Sequence, residues 1–149
     1  MSTVSEPNES ADVVVWSEGS GFAQQIAAGP HRLRGDEPES AGGTGTGPSP
    51  YDFLLAALGS CTSMTVGLYA RKKMWPLERV TVWLRHSRIY AVDCAECETK
   101  EDMLDRIELD VRFDGPLTEV QRTRLFEIAN KCPVHRTLTS EINIRTRIV

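Results

Sequence analysis

The chain has 149 residues, 40% of them hydrophobic and 26% charged, with a formal charge of −4 at pH 7 and an isoelectric point near 5.4. That size supports one packed core, and the acidic balance excludes the basic face that nucleic acid or an anionic membrane surface requires. No uninterrupted apolar run approaches the ~20 residues of a membrane span. The polar N-terminus, with Glu6 and Glu9, does not read as a signal peptide. Residues 1–11 read as a disordered tail and residues 12–149 as one domain. Four cysteines without an export signal predict reduced thiols in the cytoplasm, where cysteine is more often catalytic or metal-binding than structural.

In chain order, residues 13–16 predict a short strand, and Gly19, Ser20 and Gly21 turn it toward a second over 22–28. Gly29-Pro30 breaks that run, and the alternation His31-Arg32-Leu33-Arg34 gives a third strand, so the three form a meander. Residues 35–48 are rich in glycine and proline and read as a loop. Ser49-Pro50-Tyr51-Asp52 is a helix start: Ser49 caps, Pro50 suits the first helical position, and Asp52 completes a capping box. The helix predicted over 50–73 ends at Arg71-Lys72-Lys73, before Trp75-Pro76, and would span about 36 Å. Leu54, Leu58, Cys61, Thr65 and Leu68 mark one apolar face, with Ala56, Ala57, Gly59 and Ser60 letting another backbone come close. Strict alternation then predicts strands over 79–90 and 104–113, joined by an acidic segment that holds Cys94 and Cys97. Thr118 caps a helix through residue 131, a short helical piece follows over 134–140, and residues 142–149 alternate as a last strand. The order gives an α+β fold, antiparallel sheet with helices on one face.

Two signatures carry chemistry. The first is Gly47-Pro48-Ser49-Pro50-Tyr51-Asp52-Phe53-Leu54-Leu55-Ala56-Ala57-Leu58-Gly59-Ser60-Cys61-Thr62; the second, some seventy residues on, is Lys131-Cys132-Pro133-Val134-His135-Arg136-Thr137-Leu138. By itself, Cys61 is either a small core residue or a reactive thiol. Together the two runs resemble the OsmC/Ohr family of bacterial thiol peroxidases, which act on organic hydroperoxides in antioxidant defence. The resemblance covers roughly residues 12–149. It implies an OsmC-like fold in which antiparallel sheets wrap two long central helices of an intertwined homodimer, with active sites at the interface. It also implies that Cys61 becomes a sulfenic acid, that Cys132 condenses with it to a disulfide, and that a dithiol such as a lipoyl group reduces the pair without a cofactor.

The family pattern is not complete in this chain. Peroxidases of the Ohr branch place a carboxylate just after the proline that opens the long helix and an arginine in the first hairpin. Here Tyr51 follows Pro50, with Asp52 one further on; both are candidates to support the site, Tyr51 at its mouth or else exposed at the helix start, and residues 16–28 hold no arginine. Arg34 and His31, on the next strand, are the basic candidates to support the thiol, together with Arg32. These departures keep open a non-enzymatic reading: an OsmC-like dimer that binds a ligand without turnover.

A second constellation competes for Cys132. Cys94-x-x-Cys97 and Cys132-x-x-His135 have the spacing of four tetrahedral zinc ligands. Cys94 and Cys97 also read as an extra redox pair, against which stands the thiolate-disfavouring charge of Asp93, Glu96 and Glu98. His135 reads equally as a helix-start residue without chemistry, and His86 as a solvated strand residue. Trp75 and Trp83 read as packing residues. Phe53, Leu54, Leu58 and Met64 would line a site for an alkyl hydroperoxide, or simply build the core.

Overall fold

Ser49, Pro50 and Asp52 open a 24-residue helix in the computed structural model, which describes residues 11–149, so most of the expected tail lies outside the described residues. The chain divides into two compact units, one ending at Leu54 and the other running Leu55–Val149. In the first, β1 (Val13–Ser17), β2 (Gln24–Ala28) and β3 (His31–Gly35) form an antiparallel meander in the order β1-β2-β3. The pairs Val15↔Ile26 and Ile26↔Leu33 fix its register. Gly19 and Gly29 have positive φ, at 64° and 57°, which the tight turns between these strands require of them.

The loop after β3 is organised by one buried carboxylate. Asp36 is 2% exposed. It accepts from the hydroxyls of Thr44 at 2.5 Å and Thr46 at 2.6 Å, and from the backbone N–H groups of Glu37 at 2.8 Å and Thr46 at 3.1 Å. These donors replace the water lost on burial, and the two threonine hydroxyls first of all hold the Asp36 carboxyl well below the usual carboxylate range. The chain thus reaches helix α1 (Pro50–Lys73) on a fixed path. Its start is the predicted capping box: the Asp52 N–H donates to Ser49 Oγ at 3.2 Å, and the Ser49 N–H to Asp52 Oδ2 at 3.0 Å.

In the second unit, β4 (Arg79–Tyr90) and β5 (Met103–Asp114) form an antiparallel ribbon with Val82 opposite Val111 and Leu84 opposite Leu109. Helix α2 (Glu119–Ala129) starts with a second capping box, Thr118 with Gln121, and ends two residues before the expected Lys131. Helix α3 covers Pro133–Leu138. Val66 and Ala70 of α1, Phe113 of β5, and Leu125 and Ala129 of α2 form the core of this unit. Arg122 donates to the Phe113 carbonyl and, at 3.0 Å, to the Gly115 carbonyl, and so ties α2 to the end of β5. A Cβ at Gly59 would lie 2.7 Å from Leu84 Cδ1, so a larger residue there would make the end of the Leu84 side chain move. The α+β class with antiparallel sheets and a long helix is therefore correct.

Three expectations need correction. Among the described residues, 142–149 have no ladder partner and are not a strand; alternation specifies two faces but supplies no second strand to bond to. On α1 the buried residues are Leu58, Gly59, Thr62, Val66 and Ala70, not the stripe through Cys61 and Leu68. Leu68 is 49% and Met64 71% exposed, because the core packs on the face that carries Val66 and Ala70; of the small residues Ala56, Ala57, Gly59 and Ser60, only Gly59 is buried. By length and composition α1 is also apolar enough to cross a membrane, contrary to the run-based reading, although one face is taken up by the core.

Candidate functional site

Cys61 lies in the fourth turn of α1, half-buried at the margin between the packed face and the uncovered one, and its thiol is free. The next residue, Thr62, is fully buried with its hydroxyl satisfied: it donates to the Leu58 carbonyl at 2.8 Å, the back-bond open to threonine inside a helix. The same hydroxyl oxygen lies 3.7 Å from Cys132 Sγ. Cys132 thus rests against α1 one residue beyond Cys61.

Cys132 is held there by its place in the chain. It is the N-cap of α3, with Pro133 at the first helical position, and its sulfur accepts the His135 N–H at 3.3 Å. Its thiol is free and has no solvent exposure. Of the two free thiols, Cys61 is therefore the one open to solvent. His135 lies beside Cys132 through that backbone bond and lines a cavity of about 190 Å³ with Leu58, Ile107, Leu109 and Leu138. Asp105 also borders this cavity and accepts from His86 Nε2 at 2.8 Å; the His86 side chain is only 18% exposed, so it is not the solvated residue that alternation implied.

The other named residues belong to the first unit. Asp52 serves the capping box of α1, and Tyr51 is 52% exposed. Arg34 pairs with Glu18 at 2.9 Å and donates to Thr46 Oγ1 at 2.9 Å, while His31 is exposed at the start of β3. Arg32 bonds the carbonyls of Gly29 and His31. An apolar cavity of about 410 Å³, lined by Val15, Phe22, Ile26, Pro48, Pro50 and Phe53, lies within this unit. Of the four expected lining residues, Phe53 borders the larger cavity and Leu58 the smaller, whereas Met64 faces outward.

Cys94 and Cys97 are joined to each other in a disulfide, which corrects the expectation that all four thiols are reduced. A bonded pair offers no thiolates, and no group of three or more metal-ligating side chains is gathered among the described residues. Sequence reasoning missed Thr62 as the neighbour of Cys132 and Asp36 as the organiser of the loop. Only the position of Thr62 four residues after Leu58 hinted at its back-bond.

The model of the family described as OsmC-like protein matches residues 43–147. Among solved structures, an OsmC-like protein from Mycoplasma pneumoniae superposes with a TM-score of 0.66 at 22% identity, covering 85% of each chain. An organic hydroperoxide resistance protein OsmC from Legionella pneumophila gives 0.61 at 17%, covering 85% of this chain and 88% of that one. The organic hydroperoxide resistance protein OhrB of Bacillus subtilis gives 0.57 at 18%, covering 85% and 90%. A sequence comparison with curated proteins gives no match.

Proposed function

The chain belongs to the OsmC-like protein family, and from that premise we propose that it is a thiol peroxidase reducing small organic hydroperoxides. Cys61 thiolate attacks the distal oxygen of ROOH, the O–O bond breaks, Cys61 becomes a sulfenic acid, and RO⁻ leaves and takes a proton from solvent to give ROH. The Cys132 thiol then attacks that sulfur, water leaves, and a Cys61–Cys132 disulfide remains. A dithiol, such as a lipoyl group, would return both thiols and take up the disulfide; no cofactor enters. The observation that carries this reading is the 3.7 Å approach of Cys132 Sγ to Thr62, the residue next to Cys61, with both thiols free. Two of the structural relatives are organic hydroperoxide resistance proteins, which supports the substrate class.

The working form is a homodimer. Met64 and Leu68 leave an apolar strip of α1 uncovered beside Cys61, and Ile142, Ile144 and Ile148 are 50%, 82% and 99% exposed in a segment without a ladder partner among the described residues. A second copy would cover the first and pair the second. Light scattering should then give twice the 16.6 kDa chain mass.

A second reading, a dimer that binds without turnover, is favoured by the engagement of Arg34 with Glu18 and of Asp52 with its helix cap. Consumption of cumene hydroperoxide with a dithiol reductant separates the two. The peroxidase reading requires turnover by the wild type and its loss in Cys61→Ser. Equal consumption by both proteins, or none by either, leaves the binding reading.

A further inference from the structure

The peroxidase scheme uses Cys61 and Cys132 and leaves the other two cysteines without a part. Cys94 and Cys97 are three residues apart, bonded, with Cα atoms 5.4 Å apart. They sit in the connection between β4 and β5, where the Ala91 N–H donates to the Asp102 carbonyl at 2.8 Å and the Cys94 N–H to the Ala91 carbonyl at 3.2 Å. As a staple the bond contributes less than a long-range crosslink would, because the stabilisation grows with the loop it closes and this one joins residues only three apart. The two ends of the bond also differ in access: Cys94 is 2% exposed, while Cys97 is only half-buried. Cys97 is the end of the bond nearer to solvent, and an attack there makes Cys94 the leaving group.

The surroundings choose what approaches. Asp93, Glu96, Glu98, Glu101 and Asp102 are all exposed in this connection. Its one cation, Lys100, is committed to the Cys94 carbonyl. An anionic thiol nearing Cys97 meets this field as repulsion, and a cationic one meets it as attraction.

We propose that Cys94–Cys97 is a second redox couple of this protein, opened by thiol–disulfide exchange with a cationic or uncharged dithiol and guarded by its carboxylates against anionic thiols. The dithiol's thiolate attacks Cys97 Sγ, the protein S–S bond breaks, and Cys94 leaves as a thiolate that takes a proton. The dithiol's second thiol then attacks its own sulfur in the mixed disulfide and releases Cys97 as a thiol. The protein gains two electrons and two protons, and the dithiol becomes a cyclic disulfide. The couple is separate from the peroxidatic pair and stands or falls without it.

The test uses folded wild-type protein and three monothiol probes, each of which opens the bond by the same first attack and completes it with a second molecule. These are 2-aminoethanethiol, 2-mercaptoethanol and 2-mercaptoethanesulfonate, compared at equal thiolate concentration and low salt. Samples are quenched by alkylation, and the peptide carrying Cys94 and Cys97 is read by mass, so events at Cys61 and Cys132 do not enter. The cationic probe should open the bond about tenfold faster than the sulfonate. The ratio should fall toward one in about 1 M salt, where charges are screened within about 3 Å. It should also shrink in Glu96→Gln/Glu98→Gln, at two exposed positions, with circular dichroism as the check that the variant is folded. A bond that stays closed to all three probes until the protein unfolds overturns the proposal, as does opening by the sulfonate at an equal or greater rate.

Discussion

Replacing Cys132 separates its structural role from its chemistry. The sulfur is fully buried and caps α3 by accepting the His135 N–H at 3.3 Å. Cys132→Ala removes that acceptor, a loss of about 1 kcal/mol for a helix N-cap. It also empties the space of one buried heavy atom, worth about 1 kcal/mol more by analogy with the loss of a single methyl group. The sum, about 2 kcal/mol, corresponds to a fall in Tm of roughly 4–8 °C for a domain of this size. Cys132→Ser keeps an acceptor of a type preferred at N-caps and brings a hydroxyl to Thr62 Oγ1, so its cost stays within about 1 kcal/mol. Thermal melts of both reduced variants beside the reduced wild type give the comparison. Both lose the Cys61–Cys132 bond, but Ala should melt several degrees below Ser. Equal melting of the two, or Ser the lower, would refute the argument that the sulfur caps the helix.

Leu125→Ala should cost about 3 kcal/mol, since Leu125 has no exposure and is packed among Val66, Ala70, Phe113 and Ala129. A denaturant titration should show a lower midpoint with an unchanged m-value, and a shift under about 1 kcal/mol would contradict the packing. Asp36→Asn should lower stability at pH 7 and flatten the acid limb. Because the Asp36 carboxyl is depressed in the folded chain, its contribution is present above the unfolded value of ~3.9 and is lost as pH falls below it toward the folded value. Melting curves of wild type and variant from pH 7 to pH 2 should therefore converge at the acid end, and parallel curves would rule out this role.

Much of the fold could be read from local signals. Ser49-Pro50 and Trp75-Pro76 bracket α1, whose observed bounds, Pro50–Lys73, are those the sequence predicts, and alternation gives β4 at Arg79–Tyr90. What failed depends on partners that a local pattern does not contain. Residues 142–149 alternate as a strand does, yet a ladder needs a second strand. The buried face of α1 was misplaced by one residue because the helix is apolar around much of its surface. Thr62, polar by type, is buried cheaply through its bond to the Leu58 carbonyl, while Met64 and Leu68 remain uncovered. The approach of Cys132 to α1 was implied by the family resemblance rather than by spacing. The acidic neighbours of Cys94 and Cys97 bear on their reactivity but did not disclose their bond.

The central claim concerns two sulfur atoms, and peptide mapping of the reduced protein after one equivalent of an organic hydroperoxide addresses it most directly. The closed loop, about seventy residues long, would make the oxidised chain up to ~4 kcal/mol more stable, so its melting transition should rise in the same sample. The account predicts a Cys61–Cys132 linked peptide, formed in step with peroxide loss and absent from Cys61→Ser. Cys61 carried on to sulfinic or sulfonic acid, with Cys132 still a free thiol, would contradict it.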